Sequence, residues 1–223
     1  MLKKMKNKII IPIKTNNQRL PGKNTMLLGD IPLYQHLFNT VKKCNLEVYI
    51  DSSDHSILDA AEQNGFKTIE RDVKLNSPDT SGNDLINHAI EKIGCHDDDI
   101  IGQFFVTTPF IKKESIIKSF TTLIENKDKT SCFGLYNVYD RFWLNNKPVN
   151  HDVNVLVGTQ YMSPLQRESG FYTFICKDFK KEQSRITKDY ITFDIDEIEC
   201  VDIDTYNDFL YAKSILAAKN KIL

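Results

Sequence analysis

The stretch Ile9 to Asn24, IIIPIKTNNQRLPGKN, decides the fold. It opens on Ile9-Ile10-Ile11 between polar flanks, the pattern of a short strand buried on both faces of a parallel sheet. Pro12 has no N–H to donate and ends the ladder. The chain then turns polar and cationic: Lys14, Arg19 and Lys23 stand among Thr15, Asn16, Asn17, Gln18 and Asn24, and Pro21-Gly22 marks a turn. Open α/β sheets bind ligands in the crevice beyond the carboxyl ends of their strands. Three cations and several amides in such a loop suit a polyphosphate. A solvated basic loop is the competing reading.

The segments that follow alternate in kind. Leu33 to Cys44 carries apolar residues at helical spacing, Glu47 to Ile50 reads as a strand, and Asp54 caps a helix over Ser56 to Asn64 that stops at Gly65. Lys67 to Glu70 is a third short strand, and the rhythm is that of parallel βαβ units. A turn-rich loop, Ser77 to Asp84, feeds a helix to Ile93, with Ser81 or Asn83 as its cap. His96-Asp97-Asp98-Asp99 reads as a solvated turn before a buried strand, Ile100 to Val106. Ser115 to Leu123 is an amphipathic helix, and Ser131 to Val138 a strand. Arg141 to Pro164 is irregular, with Trp143 and a turn at Asn145-Asn146, and reads as an insertion rather than a separate domain. Strands follow at Phe171 to Cys176, Tyr190 to Asp194 and Cys200 to Ile203. A closing helix, Thr205 to Lys219, turns Phe209, Leu210, Ala212, Ile215 and Leu216 inward.

With 223 residues the chain is expected to form one domain with a buried core. Hydrophobic residues make up 41% and charged residues 26%, with a net charge of −1, so composition implies neither nucleic-acid nor membrane attraction. The five cysteines are scattered without a Cys-x-x-Cys pair, which suits buried reduced thiols in a cytoplasmic protein better than disulfides or zinc. The apolar run behind the basic start is too short for a secretory signal, and no stretch is long enough to span a membrane. The histidines show no ligand spacing, and hydrolase-elbow, P-loop and dinucleotide motifs are absent.

The second informative stretch is Val201-Asp202-Ile203-Asp204-Thr205-Tyr206-Asn207-Asp208. Side chains two apart in a strand share a face, so Asp202 and Asp204 are expected to point one way. Two convergent carboxylates suit a hard divalent cation that also takes substrate phosphates. Helix capping by Thr205 or Asp204, with Asp208 in the first turn, is the alternative, and it does not call for two acids on one face.

Both stretches resemble the cytidylyltransferases that activate acidic sugars, the CMP-sialic acid (acylneuraminate, CMP-nonulosonate) synthetases and the CMP-KDO synthetases. Pro12, Lys14, Arg19-Leu20-Pro21-Gly22-Lys23 and Asn24 match their first loop, combining R-L-P-G-K of the KDO branch with the K-N of the sialate branch. Val201-Asp202-Ile203-Asp204-Thr205 matches the closing V-D-I-D-T-x-x-D of the sialate enzymes. Pro78 to Asp84 is similar to the KDO-branch loop near the nucleotide. Thr107-Thr108-Pro109 falls where L-Q-P-T-S-P-L-R occurs, with Phe105 and Ile111 replacing the Gln and Arg. Gln160 and Arg167 to Tyr172 are similar to the acceptor-sugar region, where Thr159 replaces an Arg.

The resemblance implies a doubly wound, mostly parallel α/β sheet of the nucleotide-diphospho-sugar transferase type. It implies a single domain over 1–223, pairing into a homodimer through an arm near 141–164. CTP would be the nucleotide and Mg²⁺ or another divalent cation the cofactor. Asp202 and Asp204 would hold the metal, and Lys14, Arg19 and Lys23 would stabilise charge on the triphosphate. Lys14, Lys23, Asn24 and Ser81 would contact the nucleotide, and Thr107, Gln160, Arg167 and Tyr172 the sugar. The expected reaction joins CTP and a sialic acid-like nonulosonate or related keto sugar into CMP-sugar and pyrophosphate. The substitutions on the sugar side leave two rivals: a nucleotidyltransferase for another nucleotide or acceptor, such as a phosphonate or sugar phosphate, and a non-catalytic nucleotide-binding homologue.

Overall fold

The computed structural model describes residues 6–14 and 17–222, with the backbone alone from 220 to 222. Thr15 and Asn16 of the first loop and the leading basic residues 1–5 lie outside the described residues.

In chain order the strands are β1 (Asn7–Pro12), β2 (Leu27–Leu28), β3 (Ile31–Pro32), β4 (Glu47–Ser52), β5 (Lys67–Glu70), β6 (Ile100–Gln103), β7 (Ser131–Val138), β8 (Trp143–Leu144), β9 (Lys147–Pro148), β10 (Leu165–Glu168), β11 (Tyr172–Ile175) and β12 (Tyr190–Asp194). The helices are α1 (Leu33–Val41), α2 (His55–Gln63), α3 (Gly82–Ile93), α4 (Lys113–Glu125), α5 (Cys176–Glu182) and α6 (Tyr206–Ile222). One eight-stranded sheet runs β10-β7-β11-β6-β1-β4-β5, with β12 on the other edge of β7. β6, β1, β4 and β5 are mutually parallel, β12 is parallel to β7, and β10 and β11 run antiparallel beside β7. The sheet is therefore mostly parallel and flanked by helices, as the resemblance implied.

The isoleucine run is central because both its faces are covered. Ile9 and Ile11 pack with Leu37, Phe38, Ile57 and Phe120 under α1, α2 and α4. Ile10 packs with Ile86, Ile90, Ile101 and Phe174 on the side of α3 and α5. A third cluster, Leu28, Leu33, Phe110, Ile203, Phe209 and Ala212, seats α6. Leu210, expected to face this cluster, is 43% exposed, because it lies one residue off the stripe defined by Phe209 and Ala212.

Two other expectations need correction, and one helix was not foreseen. Cys200 to Ile203 is not a strand: a 3₁₀ turn over Glu197–Cys200 is followed by an extended segment whose hydrogen bond to the sheet region runs from Ile203 N to Thr107 O (2.9 Å). Asp99 is no solvated turn residue; it is 2% exposed, ion-paired to Lys8, and accepts from the backbone N–H groups of Lys6 and His96. α5 had no counterpart in the sequence reading, being too short to show a helical period. The Asn145-Asn146 turn is present as expected: both residues have positive φ (49° and 60°), the geometry of a two-residue hairpin joining β8 and β9.

Candidate active site

The first loop leaves β1 and is shaped by its turn. Lys23 N–H donates to Leu20 O (3.2 Å), and Gly22 takes φ 67°, a left-handed conformation that suits glycine at the third turn position. The turn drives Lys23 and Asn24 inward, to 8% and 4% exposure. Asn24 Nδ2 donates to Lys14 O (2.6 Å), and Asn17 Nδ2 donates to the same oxygen (3.0 Å), so the loop is cross-braced around Lys14. Lys14 Nζ reaches Ser77 O (3.1 Å) across the cleft.

The two ends of the chain meet here. Lys23 Nζ donates to Ile203 O (2.8 Å) and to Asp204 Oδ1 (2.7 Å), across some 180 residues of sequence. Arg19 Nη2 lies 2.7 Å from Asp204 Oδ2, so each Asp204 oxygen faces a cation. Asp202 has a different environment. Its Oδ1 is closed to solvent and has no hydrogen-bond partner. Burial pushes its carboxyl up; the Thr107 hydroxyl opposes this, Asp204 adds to it, and Lys23 and Arg167 oppose it, leaving the net shift upward. Capping explains neither acid. Thr205 and Asp208 form the cap of α6: Thr205 N–H and Oγ1–H donate to Asp208 Oδ2 (2.7 and 2.8 Å), and Asp208 N–H returns to Thr205 Oγ1 (3.3 Å).

These groups border a cleft of about 350 Å³ at the carboxyl ends of β1, β4, β5 and β6, which also reaches the start of β11. Lys14, Lys23, Asn24, Thr107, Tyr172, Asp202 and Asp204 line it. An adjoining hollow of about 230 Å³ shares Lys14, Lys23 and Asp204 with it and adds Arg19 and Gln18. Three of the expected residues do not line either space. Ser81 serves α3 as cap, its hydroxyl exchanging hydrogen bonds with Asp84. Gln160 is exposed on the 3₁₀ turn Thr159–Tyr161. Arg167 borders a separate hollow of about 90 Å³ with Tyr136, Glu197, Asp202 and Asp208. Phe105 is on the cleft wall, whereas Ile111 is buried in the core.

Sequence reasoning missed two cations on that wall. Arg71 follows β5 and is 2% exposed; its Nε and Nη2 grip the carboxylate of the fully buried Asp51 at 3.0–3.1 Å, and Nη2 also donates to Asp51 O. Its place directly after a strand, on the ligand-binding edge, was the available signal. Arg185 comes from the segment after α5, for which the sequence had no periodic signal.

The acid pair fits a divalent cation. A buried carboxylate oxygen without a partner lies beside a second carboxylate, and an all-oxygen donor set suits Mg²⁺. Among the described residues no cluster of three or more His, Cys, Asp or Glu is arranged to hold a metal. Two protein carboxylates completed by substrate phosphates is the arrangement that Mg²⁺ sites with phosphate substrates favour.

Residues 8–167 match the family model described as cytidylyltransferase. The chain is 33% identical over 115 residues to the 8-amino-3,8-dideoxy-manno-octulosonate cytidylyltransferase of Shewanella frigidimarina, covering 50% of this chain and 45% of that protein. It is 30% identical over 150 residues to the 3-deoxy-manno-octulosonate cytidylyltransferase of Francisella tularensis subsp. novicida, covering 66% of this chain and 58% of that one. The chain thus spans about half the length of the curated relatives it matches. A solved structure of CMP:2-keto-3-deoxy-manno-octonic acid synthetase complexed with CTP has the same fold, with a TM-score of 0.70 over 96% of this chain and 99% of that chain at 16% identity.

Proposed function

Because the chain belongs to the cytidylyltransferase family, we propose that it transfers a cytidylyl group from CTP to a hydroxyl of an acidic keto sugar, releasing pyrophosphate. The observation that carries this reading is the bridge from Lys23 to Ile203 O and Asp204, which joins a cationic loop and an acid pair in one cleft. Phosphoryl-type transfer asks a protein chiefly to position its reactants and to offset charge. Lys14, Arg19 and Lys23 hold the triphosphate and stabilise the charge gathering on the departing pyrophosphate. Asn24, whose Oδ1 is buried without a partner, and Arg71, fixed by Asp51, orient the nucleotide. Thr107 and Tyr172 line the acceptor side. Asp202 and Asp204 would hold Mg²⁺, which when bound would supply Lewis-acid neutralisation of phosphate charge.

The octulosonate names of the relatives support an eight-carbon acid as acceptor, while the closing Val201 to Thr205 signature keeps the nine-carbon sialic acid-like nonulosonates as the second reading. Phe105 on the cleft wall favours an acceptor site that differs from both. The arm around 141–164 is the proposed homodimer contact: Trp143, Leu144, Val155, Leu156 and Tyr161 expose 55, 66, 54, 97 and 82% of their surface, an apolar display that a second copy would cover. Free buried thiols accord with a cytoplasmic site of action. No helix among the described residues is long and apolar enough to cross a membrane.

The test is pyrophosphate release with CTP and Mg²⁺ against a panel of octulosonic and nonulosonic acids. Release with one acid and CTP, absent with other nucleotides, is expected. CTP binding without turnover of any acceptor would favour the non-catalytic alternative.

A further inference from the structure

Among the described residues four cations line the main cleft. Lys23 is paired with Asp204 and Arg71 with Asp51, while Lys14 is held by a backbone carbonyl. Arg185 is in none of the ion pairs found among the described residues, yet it is half-buried and held in place. Its Nη1 donates to Gln103 Oε1 (2.9 Å), and the fully buried Gln103 is in turn oriented by a bond from Nε2 to Gly82 O (3.3 Å). The guanidinium carbon sits 4.0 Å from the centre of the Tyr172 ring. Gln183, two residues earlier, is tied to α3 by Asn83 and Asn87. A Cβ on Gly82 would stand 2.5 Å from Arg185 Nη1, so any side chain there would push the guanidinium aside.

A braced guanidinium in no ion pair with the described residues, over the Tyr172 ring whose hydroxyl donates to Glu168, and open to a cleft, is a receptor for an anion. Its position says which anion. The first loop and Arg71 occupy the half of the cleft over β1, β4 and β5, where the triphosphate has its cations. Arg185 stands over β6 and β11, on the far side of β1. Arg167, the residue sequence reasoning favoured for an acidic acceptor, lines neither space and borders the small hollow of Tyr136, Glu197 and Asp208 instead.

Resting on the functional reading above, we infer that Arg185 binds the carboxylate of the acceptor and so selects acidic sugars. Binding calorimetry tests this with 3-deoxy-manno-octulosonate and N-acetylneuraminate, each as the free acid and as its C1 amide, on protein saturated with a CTP analogue carrying a methylene between the α- and β-phosphates. Arg185→Gln is expected to weaken binding of the acid by about tenfold or more, to leave the amide and the CTP analogue unchanged, and Arg185→Lys to recover part of the loss. Gly82→Ala, which displaces the guanidinium without removing it, is expected to weaken the acid alone, at unchanged melting temperature. Equal acid binding by Arg185→Gln and wild type overturns the inference, as does a loss that falls on the CTP analogue instead. A wild-type protein that binds the analogue but neither acid also overturns it and leaves the nucleotide reading intact. Failure to bind the analogue as well would sink the functional reading itself.

Discussion

Asp202→Asn is expected to stabilise the ligand-free protein while abolishing its turnover. Asp202 stands in a place that disfavours charge: burial is the largest influence on it, and the net effect lifts its carboxyl above the usual range. A carboxyl whose folded-state pKa lies above its unfolded value binds its proton more tightly when folded. The ionised form therefore costs stability at neutral pH, and that cost fades as the pH falls through the raised folded value towards the unfolded one. Asparagine keeps the shape and an acceptor for the Thr107 hydroxyl but carries no charge. A buried polar atom left unpaired, as Asp202 Oδ1 is, costs about 1–3 kcal/mol. The new amide also needs partners, so the gain is set at about 1 kcal/mol, or roughly 2–4 °C in Tm for a chain of this size. Thermal unfolding in buffer with a chelator, at pH 7 and at stepwise lower pH, measures it. The gain should be present at pH 7 and shrink on acidification, while CTP-dependent pyrophosphate release falls about a hundredfold or more. A variant that melts below wild type at pH 7, or a difference that ignores pH, refutes the electrostatic account; retained turnover refutes the catalytic one.

Lys23→Ala removes two charge-assisted hydrogen bonds, to Ile203 O and to Asp204, and should lower stability by about 2–3 kcal/mol and turnover by about 10²–10³-fold. Denaturant titration and the pyrophosphate assay read the two effects, and near-wild-type values in both would remove Lys23 from the site. Asp99→Asn leaves Lys8 buried without its counter-charge and should cost about 3 kcal/mol by the same titration. Burial raises the Asp99 carboxyl, but Lys8 and the backbone N–H groups of His96 and Lys6 more than offset it, and the net shift is downward. Its stabilisation is thus present above the unfolded carboxyl value and lost as the pH falls through the folded one, so acid unfolding of wild type and variant should converge at low pH. Leu156→Asp places a charge on the most exposed apolar residue of the 141–164 segment and should shift the proposed homodimer to monomer in sedimentation velocity, with an unchanged far-UV spectrum; an unaltered sedimentation coefficient speaks against that segment as the contact.

Much of the site was legible because its residues sit in two short stretches with strong local constraints. Pro21-Gly22 dictates a turn, and the turn aims Lys23 back towards the sheet, where Ile203 O and Asp204 receive it. The spacing of Asp202 and Asp204 placed both on the cleft, although the strand invoked for them is an extended loop: alternation depends on extended backbone, not on ladder hydrogen bonds. Asp99 was misread because a carboxylate beside a strand looks the same in sequence whether it faces water or a buried lysine from a neighbouring strand. Arg185 gave no signal, since its importance comes from Gln103, Gly82 and Tyr172, contributed by three other elements.

The sequence by itself determined the parallel sheet, from Ile9-Ile10-Ile11 and the strand–helix rhythm that follows, because hydrophobic period is a property of neighbours along the chain. It also determined the cationic loop and the acid pair as units. Only the tertiary structure decided that those units share one cleft, that Arg19 and Lys23 rest on Asp204 while Asp202 is left with a bare oxygen, and that Arg71 and Arg185 face the same space. The physical reason is that charge pairing and desolvation depend on distance in space and on what is packed around a group, and neither quantity is written in the order of the residues.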